Sequence, residues 1–147
     1  MKAVVQVVNN ANLKVNGKMI SQIGKGFVVY FCVEKGDKEE LLDYFAKKIS
    51  NLRVFVDEND KMNLSVKDVG GEILLVSQFT LAGDCEHGNR PSFTMAELPD
   101  KANSFYEKLC EKIEVDYSIK VSRGVFGADM KITQENNGPV TIIINIK

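Results

Sequence analysis

Ser77, Gln78 and Thr80 fall within four residues, Ser77-Gln78-Phe79-Thr80, at the end of the apolar run Leu74-Leu75-Val76. Three hydrogen-bonding side chains where a strand leaves the core suit a site held by a rigid element. A hydroxyl there could attack a carbonyl or position water, but as a nucleophile it needs an adjacent base or terminal amine. A strand running into its loop with satisfied polar groups explains the same pattern. A second polar segment, Asn136-Asn137-Gly138-Pro139-Val140-Thr141, leads into the last apolar run. Pro139 has no N–H, so it belongs at a strand start or edge. A Gly-Pro bond has only a small trans preference, and a cis form is accessible in a tight turn. An ordinary hairpin connection reads the same way.

Other catalytic sets are thin. The chain has one histidine, His87, and three cysteines, Cys32, Cys85 and Cys110. A two-histidine metal site is therefore impossible within one chain, and a triad would have to use His87. Cys85 and His87 lie two apart in a polar loop and could bind metal or form a dyad; a solvated loop explains them more simply. Two ligands do not complete a tetrahedral zinc site. No Gly-x-Ser-x-Gly, Walker loop or Gly-x-Gly-x-x-Gly is present. Asp57 and Glu58 read as turn residues. The expectation is no metal and no cofactor.

Composition narrows the class further. A chain of 147 residues, 44% hydrophobic, fits one domain over 1–147. Lys+Arg 19 against Asp+Glu 20 leaves a net charge of −1, which excludes broad phosphate coating or a polybasic membrane surface. No C-x-x-C occurs, so reduced thiols in the cytoplasm are expected. The longest apolar run, Phe27 to Val33, falls far short of the ~20 residues of a membrane span. Polar residues break the N-terminal stretch too early for a signal peptide. A soluble cytoplasmic protein is expected, with no membrane contact.

Several elements must position the two polar segments. Residues 2–8 read as a buried strand, and Asn16-Gly17 as a type I′ hairpin turn within 12–20. Residues 26–33 read as a central strand buried on both faces. Asp37 and Glu40 resemble a capping box, and Leu41, Leu42, Phe45, Ile49 and Leu52 follow at helical spacing. Short strands are expected at 53–56 and 62–66, then a strong one at 72–79. Residues 82–92 form a polar loop. Pro99 suits a helix first turn, followed by Ala102, Phe105, Leu109 and Ile113 on one face. Strands at 117–122, 129–134 and 139–146 complete an α+β fold: two helices covering a mostly antiparallel, curved, barrel-like sheet.

Together the two polar segments resemble the signatures of the D-aminoacyl-tRNA deacylase family. Glu34-Lys35-Gly36-Asp37, Lys61-Met62-Asn63-Leu64, Arg90-Pro91-Ser92-Phe93 and Phe126-Gly127-Ala128-Asp129-Met130 also look like that family, and the likeness spans the chain. The resemblance implies a cytoplasmic two-fold homodimer. It implies hydrolysis of the ester joining a D-amino acid to the 3′-terminal adenosine of tRNA, and of glycyl-tRNA mischarged on tRNA-Ala. It places catalysis at Ser77, Gln78, Phe79 and Thr80, and substrate binding and chiral selection at Gly138, Pro139, Asn136, Thr141 and Met130. Gly138-Pro139 would be a cis dipeptide reaching into the partner's site. Its carbonyls would hold the substrate ammonium, and its bulk would reject an L side chain. The aminoacyl-tRNA 3′ end is the implied partner; no other protein is. The family usually carries an arginine after the Gln of its first strand, whereas Val7 follows Gln6 here. Either rejection of L-substrates is weaker, or another side chain holds the loop.

Two mechanisms fit the resemblance. In one, Thr80 acts as nucleophile or orients water. In the other, the substrate 2′-hydroxyl helps activate water while backbone N–H groups near Phe79 stabilise the oxyanion. No base is visible near Thr80, which favours the second. Two other readings stay open: a deacylase with relaxed chirality, and a non-catalytic nucleic-acid-binding module.

Overall fold

Valine spacing in the first strand sets the layout. In the computed structural model, which covers residues 1–147, β1 spans Lys2–Val15. Ala3, Val5 and Val7 enter a large core cluster, whereas Val8, Ala11 and Leu13 enter a smaller one. Strand side chains alternate between faces, so the odd positions of a regular strand would all share one face. Here the pairing with the last strand slips on both sides of Val8, and such a bulge reverses the parity. The strand expected to end at residue 8 therefore continues to Val15. Asn16 and Gly17 both take positive φ (51° and 76°) and turn the chain into β2, Lys18–Ile23.

β3, Gly26–Cys32, is buried on both faces as expected, with Phe27, Val29 and Phe31 in the large cluster and Val28 in the small one. α1 spans Leu41–Asn51 and buries Leu42, Phe45, Ala46 and Ile49 at helical spacing. It starts later than the Asp37 signal suggests, and the capping box does not form. The Asp37 carboxylate instead accepts the Glu34 N–H at 2.8 Å and pairs with the Met1 amino group at 2.6 Å. A charged donor outcompetes a neutral helix N–H for that carboxylate. β4 (Phe55–Val56) and β5 (Met62–Leu64) form a separate small hairpin.

β6, Glu72–Ser77, ends two residues earlier than expected, because the chain bends into a tight 3₁₀ turn at Phe79–Ala82. α2 spans Pro99–Tyr117 with Pro99 in its first turn. Phe105, Tyr106, Leu109, Cys110 and Ile113 form its buried face. The helix takes in Tyr117, so the strand expected at 117–122 shrinks to β7, Val121–Arg123. β8, Met130–Asn145, is one strand where two were expected. Pro139 is tolerated because residues 137–140 make no ladder pairs with β1. The Gly138–Pro139 bond is cis.

The strand order is β2-β1-β3-β6-β7, with β8 on the other edge of β1. β3, β6 and β7 are mutually parallel and the remaining pairs antiparallel. The sheet is thus mixed, which corrects the mostly antiparallel expectation. α1 and α2 are the crossovers that parallel neighbours require. Ser21 Oγ donates to the Arg123 carbonyl at 2.5 Å, tying β2 to β7 so that the sheet nearly closes into a barrel. Gly26 is fixed by close approach: a Cβ there would lie 1.8 Å from the Glu72 carbonyl oxygen. No helix is long and apolar enough to cross a membrane.

Candidate active site

β6 delivers Ser77 and Gln78 to one end of the barrel. The Gln78 N–H continues the ladder by donating to the Phe31 carbonyl at 2.7 Å. The chain then turns sharply. Leu81 N–H returns to the Gln78 carbonyl (3.3 Å) and Gly83 N–H to the Thr80 carbonyl (3.0 Å). The N–H groups of Phe79 and Thr80, the first two of this turn, have no protein acceptor, as the opening residues of a helical turn generally lack one. The Cys32 thiol donates to the Phe79 carbonyl at 3.6 Å and supports the turn from beneath. Burial pushes that thiol up to about 11, so it stays neutral and structural.

A cavity of about 510 Å³ opens beside the turn. Ser77, Gln78, Phe79, Phe126, Asp129 and Met130 are among the residues that line it. The structure therefore brings together four of the expected site residues: Ser77, Gln78, Phe79 and Met130. Thr80 follows on the same turn but does not line the cavity. Its hydroxyl is bonded to the side-chain amide of Gln78, which cannot take a proton from it. Cys85, His87 and Arg90 lie on an exposed loop whose base is closed by the Asp84–Ser92 bridge. Phe79 is 58% exposed and meets Phe93 edge-on, with ring centroids 5.2 Å apart.

Four ionisable residues that line the cavity, Cys32, Glu97, Tyr106 and Asp129, are not among the site residues expected from sequence. Glu97 is held below the usual carboxylate range by its bond to Lys101 and by the Leu98 N–H. The Tyr106 hydroxyl donates to the Leu75 carbonyl at 2.7 Å and accepts the Gly124 N–H at 3.1 Å; burial raises its pKa well above the ordinary phenol value. Glu97 precedes a helix and Tyr106 sits on its buried face. Both look like ordinary helix residues until the barrel end is folded beside them.

Gly138, Pro139, Asn136 and Thr141 lie elsewhere. None of them lines the cavity. They form an exposed corner on β8. The ladder pairs Gln6 with Thr141 and Val8 with Asn136, so Val7 alone faces Asn137 through Val140 and that segment loops outward. Gly138 has φ of 123°, and a Cβ there would meet the Val140 N at 2.9 Å. Val7 is 5% exposed and enters the large core cluster, against which Val140 of the corner also packs. Gln6 points the other way and donates to Thr141 Oγ1 at 3.3 Å.

Free backbone N–H donors beside a cavity, at a strand end of a barrel-like α+β fold, are an arrangement that hydrolases of activated carbonyls use. The chain belongs to the D-Tyr-tRNA(Tyr) deacylase family, whose model matches residues 4–145. It is 52% identical over 147 residues to a protein of Thermosipho melanesiensis named D-aminoacyl-tRNA deacylase, covering 100% of this chain and 98% of that one. A protein of the same name from Thermodesulfovibrio yellowstonii is 47% identical, with 100% of both chains covered. A solved structure described as "c-Myc DNA Unwinding Element Binding Protein" superposes with a TM-score of 0.92 at 40% identity, covering 100% of this chain and 99% of that one. Another, of a "probable eukaryotic D-amino acid tRNA deacylase", has a TM-score of 0.83 at 19% identity, covering 99% and 98%, and shares the fold.

Proposed function

We propose that this protein hydrolyses the ester of D-aminoacyl-tRNA in the cytoplasm, releasing the amino acid and free tRNA. Family membership supplies the substrate class. The observation that carries the chemistry is the pair of unpartnered N–H groups at Phe79 and Thr80, beside the cavity. Water adds to the ester carbonyl, and the carbonyl oxygen takes up negative charge facing those donors. The substrate 2′-hydroxyl relays a proton to the departing 3′-oxygen. Collapse then leaves a carboxylic acid and a tRNA 3′-hydroxyl. An aminoacyl ester is already activated, so positioning and an oxyanion hole suffice; one such donor is worth about 3 kcal/mol.

Gly138-Pro139 selects the substrate. The corner is exposed and stands outside its own subunit's cavity, which suits insertion into the cavity of a second copy. The outer edge of β8 is unpaired along its length, and Ile143 on that strand is 72% exposed; an open edge of this kind favours pairing with another chain. In the resulting two-fold homodimer, the corner's carbonyls hold the substrate ammonium and its bulk excludes an L side chain. Glycine has no side chain to exclude, so glycyl-tRNA mischarged on tRNA-Ala is also cleaved. Asn136 and Thr141 frame the corner, and Met130 shapes the receiving cavity.

A second reading is a nucleic-acid-binding module without catalysis, favoured by the description of the 40%-identical structure. The net charge of −1 opposes it, since non-specific DNA binding rests on phosphate neutralisation. Incubation with D-tyrosyl-tRNA separates the two. Release of D-tyrosine at catalytic enzyme concentrations supports the deacylase; binding without release supports the module.

A further inference from the structure

The corner at residues 137–140 has no ladder pairs with β1; Val140 packs against the core, and side-chain hydrogen bonds reach its two legs. A chain of side-chain hydrogen bonds crosses three strands to reach both of its legs. On β3, the Tyr30 hydroxyl donates to Gln134 Oε1 at 2.7 Å. Gln134 Nε2 has two protons and uses both: one goes to Gln6 Oε1 at 2.9 Å, the other to Asn136 Oδ1 at 2.5 Å. The Gln6 amide then donates to Thr141 Oγ1 at 3.3 Å. Asn136 is the last paired residue before the corner and Thr141 the first after it. Gln134 and Asn136 are two apart on β8 and share a face. Gln6 is the direct cross-strand partner of Thr141.

We propose that Gln134, backed by Tyr30 and acting with Gln6, is a positioning network that clamps both legs of the Gly138-Pro139 corner and thereby sets the stringency of chiral selection. This rests on the reading that the corner is the chirality filter. The clamp has one orientation, because the Gln134 carbonyl faces the Tyr30 donor while its NH₂ faces two acceptors. Flipping that amide would break three bonds together. The inner bonds, Tyr30 to Gln134 and Gln134 to Gln6, are partly buried, where hydrogen bonds polarise one another and rigidify the parts they join; the outer bonds to Asn136 and Thr141 are exposed. Burial also raises the Tyr30 pKa, so its hydroxyl stays a donor through the working pH range. None of these residues touches the substrate in this account; they act through the corner.

Gln134→Met keeps the length of the side chain and removes every one of its hydrogen bonds. Tyr30→Phe removes only the outer hydroxyl and gives the answer if Gln134→Met does not fold. The measurement is single-turnover deacylation of D- and L-tyrosyl-tRNA by the full-length protein, with Tm recorded for each variant. The expected result is D-cleavage within about threefold of wild type, with L-cleavage raised at least tenfold. A D/L ratio unchanged within threefold, whatever the Tm, overturns the clamp and leaves the filter intact. A wild-type protein with no D preference overturns the filter itself, and the clamp with it.

Discussion

Thr80 carries the most conspicuous hydroxyl of the site, yet its partner is the Gln78 amide, which accepts no proton. The hydroxyl is therefore expected to be dispensable for bond cleavage. Thr80→Ala should retain single-turnover activity within about tenfold of wild type, less than the loss expected for removing an oxyanion donor. A substrate ending in 2′-deoxyadenosine should not be cleaved. Near-complete loss in Thr80→Ala together with full cleavage of the deoxy substrate would return the role to threonine. His87→Ala should leave the rate and its pH profile unchanged, because His87 sits on the exposed loop away from the cavity; a profile that loses a limb would contradict this. At this scale the two polar segments were legible, because each puts polar residues where a strand should be apolar. Gln6, Tyr30 and Gln134 were not. Each is an unremarkable strand residue, and their meeting depends on cross-strand register that no local pattern encodes.

Among the elements, β3 and β6 carry the 3₁₀ turn at Phe79–Ala82, and their register depends on Gly26. A Cβ at that position would overlap the Glu72 backbone, which cannot yield without breaking the parallel ladder. Gly26→Ala should destabilise the fold by about 3 kcal/mol or more, measured by urea denaturation. A loss under about 1 kcal/mol would show that the strands can separate without penalty. Both helices were legible from their apolar spacing, and the positive-φ turn from Asn16-Gly17. The parity reversal at Val8 was not, since a bulge inserts a residue without changing composition. The Asp37 cap failed for a tertiary reason: the amino group of Met1, distant in sequence, reaches the carboxylate first. The parallel pairing of β3, β6 and β7 follows from the two helical crossovers, whereas the apolar spacing within each strand carries no direction.

For the molecule as a whole, its charges set how stability should respond to pH and how tRNA binding should respond to salt. Asp57 and Asp68 are held low chiefly by backbone N–H groups of Lys61 and Ser65. Glu72 is held low by the Gly24 N–H and then by Lys120. A carboxyl with a lowered folded pKa stabilises the fold above its unfolded pKa, and that stability is lost as pH falls through the folded value. Tm should therefore hold between about pH 5 and 7 and drop below about pH 4. Glu72→Gln should make the drop shallower; an unaltered slope would remove Glu72 from the account. The near balance of 19 basic and 20 acidic residues predicts few phosphate contacts, drawn from Arg90 and nearby lysines. The log–log salt slope of tRNA binding should be shallower than about −3, and a steeper one would indicate a broad electrostatic grip. Whether the protein is an esterase selective for handedness is decided by one comparison. D-tyrosyl-, L-tyrosyl- and glycyl-tRNA are each incubated with the protein under single-turnover conditions. D-tyrosine and glycine should be released and L-tyrosyl-tRNA left intact; equal cleavage of the D and L esters, or release from none, would overturn the proposed function.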